Sequence, residues 1–362
     1  MGSFAFILHP LDVSDVARKY PLAAQLPPRW VEWLLKRFLR PKPLSHIKGV
    51  RSTLGMEAEG WFVGCPLTAR QMMEEPTEWV LARIVEAGRV AQELGARIVG
   101  LGAFTSVVGD GGITVARHLD IAVTTGNSYT VATAVEGARK AAELLGHSLP
   151  EAVAAVIGAT GSIGRVCAHL LAPDVGELWL IGRNWERLEA VAQEVRERNE
   201  AKVRVSTDIR STLPLADVVI AVTSALDTVV EPEDLKPGAV VADVARPRDV
   251  SRRVAEARED VLVIEGGVVE VPGPVEFGFN FGFPPRTAYA CMAETMILAL
   301  EGRYEPFSLG RELSVEKVQE IQRLAQRHGF RLAGFRSFER PVTEEQIARV
   351  RERAEQARRR KS

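Results

Sequence analysis

Short apolar runs alternate with amphipathic stretches along most of the chain. Runs at 97–101, 121–124, 153–157, 177–181, 202–206, 217–222, 239–244 and 261–264 have the length and composition of buried strands. The stretches 79–94 and 184–199 read as amphipathic helices, the first ended by Gly95, and a long helix runs on from Asn127 toward Gly146. Residues 44–66 alternate as a hairpin does, with Gly55 and Gly60 as breakers and Cys65-Pro66 closing it. After the Gly/Phe/Pro loop 278–285, Pro285 suits a first helical position, so a helix is expected over 286–302 with Cys291 about two turns in. A further helix is expected over 315–328. Residues 344–360 form an Arg/Glu helix, read as a solvated or oligomer-contacting tail.

Strands alternating with helices predict an α/β fold with a doubly wound parallel sheet over 148–284. Residues 1–147 would form the first part of a second, α/β substrate domain. Residues 285–330 would return to it, and 331–362 would form the charged tail. Residues 1–43 carry no clear element apart from a proline-bounded helix over 28–40. On it Trp30, Trp33, Leu34 and Phe38 share a stripe bordered by Arg29, Lys36, Arg37 and Arg40. That stripe suits either packing on its own domain or an interfacial contact with lipid or with an acidic protein.

Composition narrows the class. The chain has 362 residues, 46% of them hydrophobic, which is ample for a core, and two domains fit the length. A net charge of −1 gives no pull toward nucleic acid. No apolar run nears the ~18 residues of a membrane span, and the apolar start lacks the basic region of a signal peptide. Cys65, Cys167 and Cys291 are odd in number and far apart, which argues against a disulfide framework or metal spacing and for a reducing cytoplasm. Oligomeric state is not readable.

The candidate chemistry starts at Gly158-Ala159-Thr160-Gly161-Ser162-Ile163-Gly164, between a strand and a helix. Glycines let the backbone approach a pyrophosphate, and free N–H groups at the helix start face its charge. The next strand ends in Gly182-Arg183-Asn184, with Arg187 one turn later. Two guanidiniums where NAD enzymes place a carboxylate suit a 2′-phosphate, so NADPH is expected. Thr223, Ser224 and Ala225 suit a neighbouring adenosine or ribose; Gly266, Gly267 and Val268 stand where the nicotinamide end should lie. A lone cysteine in an apolar helix is ordinarily a core residue, but Cys291 should border the cofactor cleft. Its thiolate could take an acyl group, giving a thioester that accepts hydride. Cys167 should pack on its sheet, while Cys65 is open. His118 and His169 sit in apolar surroundings and His328 at a helix end, where a cation suits the dipole, so no cysteine–histidine dyad is supported. Thr105, Ser106, Asn127 and Tyr129 are candidate proton donors. Thr125 and Asn127 read equally as helix caps.

Six runs occur in order: 101–106, 124–127, 158–164, Arg183-Asn184-x-Glu186-Arg187-Leu188, 266–270 and Ala290-Cys291-Met292-Ala293-Glu294. Together with Phe307-Ser308-x-Gly310-Arg311 and 327–330, they make the chain resemble the long-chain acyl-[acyl-carrier-protein] reductases known best from cyanobacteria. The resemblance implies reduction of fatty acyl carrier protein to a fatty aldehyde with NADPH, through an acylated Cys291. It also implies acyl carrier protein as partner, an aldehyde-consuming oxygenase beyond it, and activation by magnesium or potassium, although no run here looks like a metal site. The Trp30–Phe38 segment, the loop 109–112 and the tail depart from that pattern, and Tyr129 stands where histidine is expected. Phe277, Phe279, Phe281 and Phe283, spaced by two, suit either an acyl tunnel or ordinary packing. Two other readings stand beside this one: a shikimate-type NADP dehydrogenase of a small hydroxy or keto acid, and a non-catalytic NADPH-binding regulatory protein.

Overall fold

The structure, a computed structural model, describes every residue except Glu200, Arg246, Arg311, Glu339 and Ser362, and all side chains within its helices and strands except those of Arg18, Lys19, Arg358, Arg360 and Lys361. Arg246 and Arg311, which fall in runs quoted above, thus lie outside the described residues. The chain divides into two units. The first comprises Met1–Asn127, Glu270–Glu312 and Glu320–Arg331; the second comprises Ser128–Val269, Leu313–Gln319 and Leu332–Ser362. These bounds differ from the predicted 1–147 and 148–284.

The first unit is built on five strands: β1 (Gly2–Leu8), β2 (Lys42–Arg51), β3 (Glu57–Gly64), β4 (Ile98–Gly100) and β5 (Ala122–Thr124), in the order β2-β3-β1-β4-β5. All are parallel except the edge strand β2, which forms the expected hairpin with β3. β1 is the finding here, because it is the middle of the sheet and the sequence reading gave it no element. Phe4, Ala5, Phe6 and Ile7 are all buried, so both faces are covered and no polar alternation marks the strand. Gly60 is not a breaker but sits inside β3, where an added Cβ would lie 2.6 Å from the Phe4 ring. Ile7, Val63, Leu67, Ile84, Val99, Leu101 and Phe104 form the core on one side. The helix Ala290–Leu300 packs against the same sheet: Cβ atoms at Gly2 and Gly100 would strike Ala299 O and Thr295 Oγ1 at 2.2 Å each.

The second unit holds six parallel strands: β6 (Val153–Ile157), β7 (Glu177–Ile181), β8 (Lys202–Ser206), β9 (Val218–Ala221), β10 (Val240–Asp243) and β11 (Leu262–Glu265). Their order is β11-β10-β9-β6-β7-β8. The chain starts in the middle, winds to one edge, and returns to β9 to wind to the other. This is the doubly wound sheet the sequence predicts, with its switch point between β6 and β9. The tail is not a free appendage. Phe338 packs against the core of this unit, Arg336 is buried beside Glu265, and the helix Glu344–Lys361 buries Val350 and Ala354. Its charge pattern hid two apolar positions, four apart, that share one helical face.

Gly60→Ala should lower stability by about 1–3 kcal/mol through overpacking against Phe4. Urea unfolding of the variant beside the parent measures this, whereas Gly55→Ala, with open space around the turn, reports only the strain of its left-handed backbone.

Candidate active site

In the second unit the phosphate turn is built by what its glycines lack. Gly158 has φ 82°, and a Cβ there would meet Val222 O at 2.6 Å; one on Gly164 would meet Gly158 O at 2.3 Å. Gly161 then starts the helix Ser162–Leu171 without a side-chain cap. The first N–H groups of that helix are left for an acceptor from outside, and Thr160 and Gly161 are exposed. Ala159 is buried, and Ser162 and Ile163 are half-buried, opening the helix. A pyrophosphate fits such a cradle. After β7, Asn184 caps the helix Trp185–Arg198, its side chain accepting from Arg187 N–H at 2.8 Å. Arg183 and Arg187 are exposed, and among the described residues no carboxylate pairs with either. Thr223 N–H donates to the buried Asp249 carboxylate at 2.7 Å and its hydroxyl donates to the same group, so Thr223 fixes the β9 loop while Ser224 is exposed. Gly266, Gly267 and Val268 are buried at the end of β11; Gly267 has φ 78°, and a Cβ on Gly266 would lie 2.5 Å from Val244.

In the first unit Cys291 stands at the second position of its helix, not two turns in. Arg286, after Pro284 and Pro285, takes a left-handed φ of 63°, and Thr287–Tyr289 is extended, so the helix cannot begin before Ala290. Every other residue of Ala290–Leu300 is buried, while Cys291 is only half-buried. Two glycines at strand ends receive it. Gly126, after β5 with φ 72°, would place a Cβ 2.3 Å from Cys291 Cα; Gly102, after β4, would place one 3.5 Å from Cys291 Sγ. The partial positive charge of a helix start favours an anion here.

The surrounding hydroxyls are committed. Thr124 Oγ1 donates to the buried Glu294 at 2.5 Å and accepts from Ser308 N–H at 3.2 Å; Thr125 Oγ1 donates to Ser308 O. Thr105 Oγ1 accepts from Gly102 N–H at 2.9 Å and donates to Gly102 O at 2.7 Å. Ser106 gives its one hydroxyl proton to Ala103 O at 2.7 Å. Asn127, directly after Gly126, is half-buried. Tyr129 belongs to the second unit and is buried; desolvation, then the nearby Glu136, push its phenol up.

The other thiols and the histidines sort by burial. Cys65 and Cys167 are sealed in their cores, and burial pushes both thiols up to about 12, which leaves them inert. His118 is exposed at a helix end rather than in apolar surroundings, and His169 lies 3.7 Å from Glu194. His328 is no helix-end cation: fully buried, it accepts from Ser52 Oγ (2.8 Å) and donates to Glu301 (2.7 Å), and desolvation lowers its pKa. The sequence reading missed His9, whose only cue is a His-Pro pair closing an apolar run. Its Nε2 accepts from Phe104 N–H at 3.2 Å and its Nδ1–H donates to Pro10 O at 3.0 Å, so it pins the 102–106 turn that Cys291 rests on. Desolvation holds its pKa down at about 4. The phenylalanine run that the sequence left as tunnel or packing belongs to a file of rings, which Phe62 and Tyr289, unforeseen in the sequence, extend. Phe62 meets Phe277 and Phe281 (5.9 and 5.2 Å), Phe281 meets Phe283 (5.5 Å), and Phe283 meets Tyr289 (4.4 Å), two residues before Cys291. Among the described residues no group of three His, Cys, Asp or Glu side chains could hold a metal ion.

The family described as shikimate / quinate 5-dehydrogenase matches residues 139–265. A protein of a Serratia species, aminotransferase PigE, is 31% identical over 355 residues, 95% of this chain but 41% of its own length, so the chain spans less than half of that relative. The long-chain acyl-[acyl-carrier-protein] reductase of Synechococcus elongatus is 30% identical over 303 residues, 78% of this chain and 84% of its own. The solved L-tryptophan dehydrogenase of Nostoc punctiforme aligns with 99% of this chain and 89% of its own at 13% identity, with a TM-score of 0.42.

Below pH 6.5 an unfolded His9 takes up a proton that the folded one refuses until about pH 4, so stability is lost as pH falls through that window. The loss attributable to His9 is at most about 3 kcal/mol. His9→Gln keeps an acceptor for Phe104 N–H without titrating, and its urea-unfolding free energy should vary less between those pH values by up to that amount.

Proposed function

We propose, for a chain that belongs to the family of the long-chain acyl-[acyl-carrier-protein] reductases, the NADPH-dependent reduction of a long-chain fatty acyl thioester to the fatty aldehyde, with Cys291 carrying the acyl group. The observation that carries this reading is the one half-exposed residue of a buried helix: a thiol in the first turn, against two glycine backbones. Its thiolate attacks the acyl carbonyl carbon, a carbon–sulfur bond forms, and the carrier leaves as a thiolate that takes a proton from water. NADPH supplies hydride when bound. The partial positive charge at the start of Ala290–Leu300 suits the oxyanion that hydride addition creates. Collapse of that oxyanion breaks the bond to Cys291 Sγ, releasing aldehyde and restoring the thiolate.

Two further features support the reading. The ring file from Phe62 to Tyr289 offers an apolar track for a fatty chain. Exposed Arg183 and Arg187, without carboxylate partners among the described residues, favour the 2′-phosphate of NADPH over NADH. Acyl carrier protein is the donor this family points to. The match to shikimate / quinate 5-dehydrogenase is confined to the part that holds the dinucleotide turn, and so bears on cofactor and not on substrate.

Incubated with acyl carrier protein loaded with a fatty chain, the parent should gain the acyl mass, and aldehyde should follow on adding NADPH. Cys291→Ala should lose adduct and aldehyde yet still bind NADPH; full turnover by that variant would end the covalent route. Arg183→Ala should raise the KM for NADPH about ten- to a hundred-fold, the worth of a charged hydrogen bond, and leave that for NADH unchanged.

A further inference from the structure

The helix Pro28–Phe38 turns its aromatic stripe away from the protein. Val31 and Leu35, one turn apart, pack with Val16 and Ala23, while Trp30, Trp33 and Phe38 are 63, 53 and 63% exposed. The sequence reading put the four-residue stripe Trp30, Trp33, Leu34 and Phe38 on one face; of these only Leu34 is half-buried. The helix is held firmly. Glu32 pairs with Arg70 and accepts from Thr68 Oγ1 at 2.9 Å, and Gln71 donates to Glu32 O at 2.9 Å. The outward face is therefore ordered before anything covers it. Trp33 and Phe38 stack edge to face at 5.4 Å, with the Arg37 guanidinium 5.7 Å from the Phe38 ring. The short turn Pro21–Gln25 leading into the helix leaves Leu22 exposed, and Leu26 follows it.

Charge decides what this face fits. Lys36 and Arg40 are already paired with Glu75 and Glu86. Arg29 and Arg37 have no carboxylate partner among the described residues and flank the aromatic rings. Two free cations are few for gripping a strongly acidic protein surface. Two tryptophans and a phenylalanine ringed by arginine match the headgroup layer of a bilayer, where indole rings sit between hydrocarbon and water. Among the described residues no helix is long and apolar enough to cross a membrane, so the contact lies along the surface.

We propose that Trp30, Trp33 and Phe38, with Arg29 and Arg37, form a docking face for an anionic lipid bilayer. The proposal rests on this surface alone and not on the reductase reading. Its test needs neither acyl substrate nor NADPH turnover. The full chain is sedimented with vesicles of phosphatidylcholine and with vesicles about one-third phosphatidylglycerol. Binding should be stronger to the second and weaken with salt. Trp30→Ser with Trp33→Ser, both outside the buried contacts, should cut partitioning about ten-fold or more. Arg37→Glu should weaken binding to the anionic vesicles only. NADPH binding by each variant checks that it is folded. Absence of binding to either vesicle, or unchanged binding by the double serine variant, overturns the proposal. So does a dimer in light scattering that the serine variant dissolves, or capture of acyl carrier protein by this face with no vesicle binding.

Discussion

The seating of Cys291 depends on one position that has no side chain. The first turn of its helix lies directly on the backbone at Gly126 and beside that at Gly102, and any Cβ at Gly126 would overlap Cys291 itself. The same device recurs in the second unit, where Gly158 and Gly164 let a turn and a helix start touch. In each unit a helix beginning is held against bare backbone at the carboxyl ends of parallel strands.

Around the cysteine, polar side chains mostly hold the frame. Thr124 links β5 to Glu294 one turn beyond Cys291, Thr125 fixes the chain at Ser308, and Thr105 and His9 brace the 102–106 turn. These groups are buried and satisfied by one another, so the loops at the strand ends are stiff.

Much of the second unit was legible because its physics is local. Strand, glycine turn and helix fall within a dozen residues, and alternation then repeats, so the doubly wound order follows from chain direction and short connections. The first unit was harder to read. β1 is covered on both faces, so its pattern is a plain apolar run, and its partners lie at 57–64 and 98–100. The start of the Cys291 helix was misplaced because a proline suits a first helical turn in general, whereas here Arg286 takes a left-handed bend that no pattern announces. His9, and the joining of Phe62 and Tyr289 to the phenylalanine run, are tertiary facts with almost no spacing signal. Cys291 was singled out by the helix it was expected to share with the cofactor cleft, and raised above an ordinary core reading by the runs it shares with a family.

The chain path also sets an order of assembly during synthesis. The six-stranded sheet draws all its strands from residues 153 to 265, so it can close while the ribosome is still working. The five-stranded sheet draws its strands from residues 2 to 124, yet the helix that covers one of its faces is Ala290–Leu300. The face of its central strand that this helix covers must wait until Leu300 has been made. An apolar nascent segment kept in that condition is what a trigger-type chaperone would grasp, and the later domain is therefore finished before the earlier one.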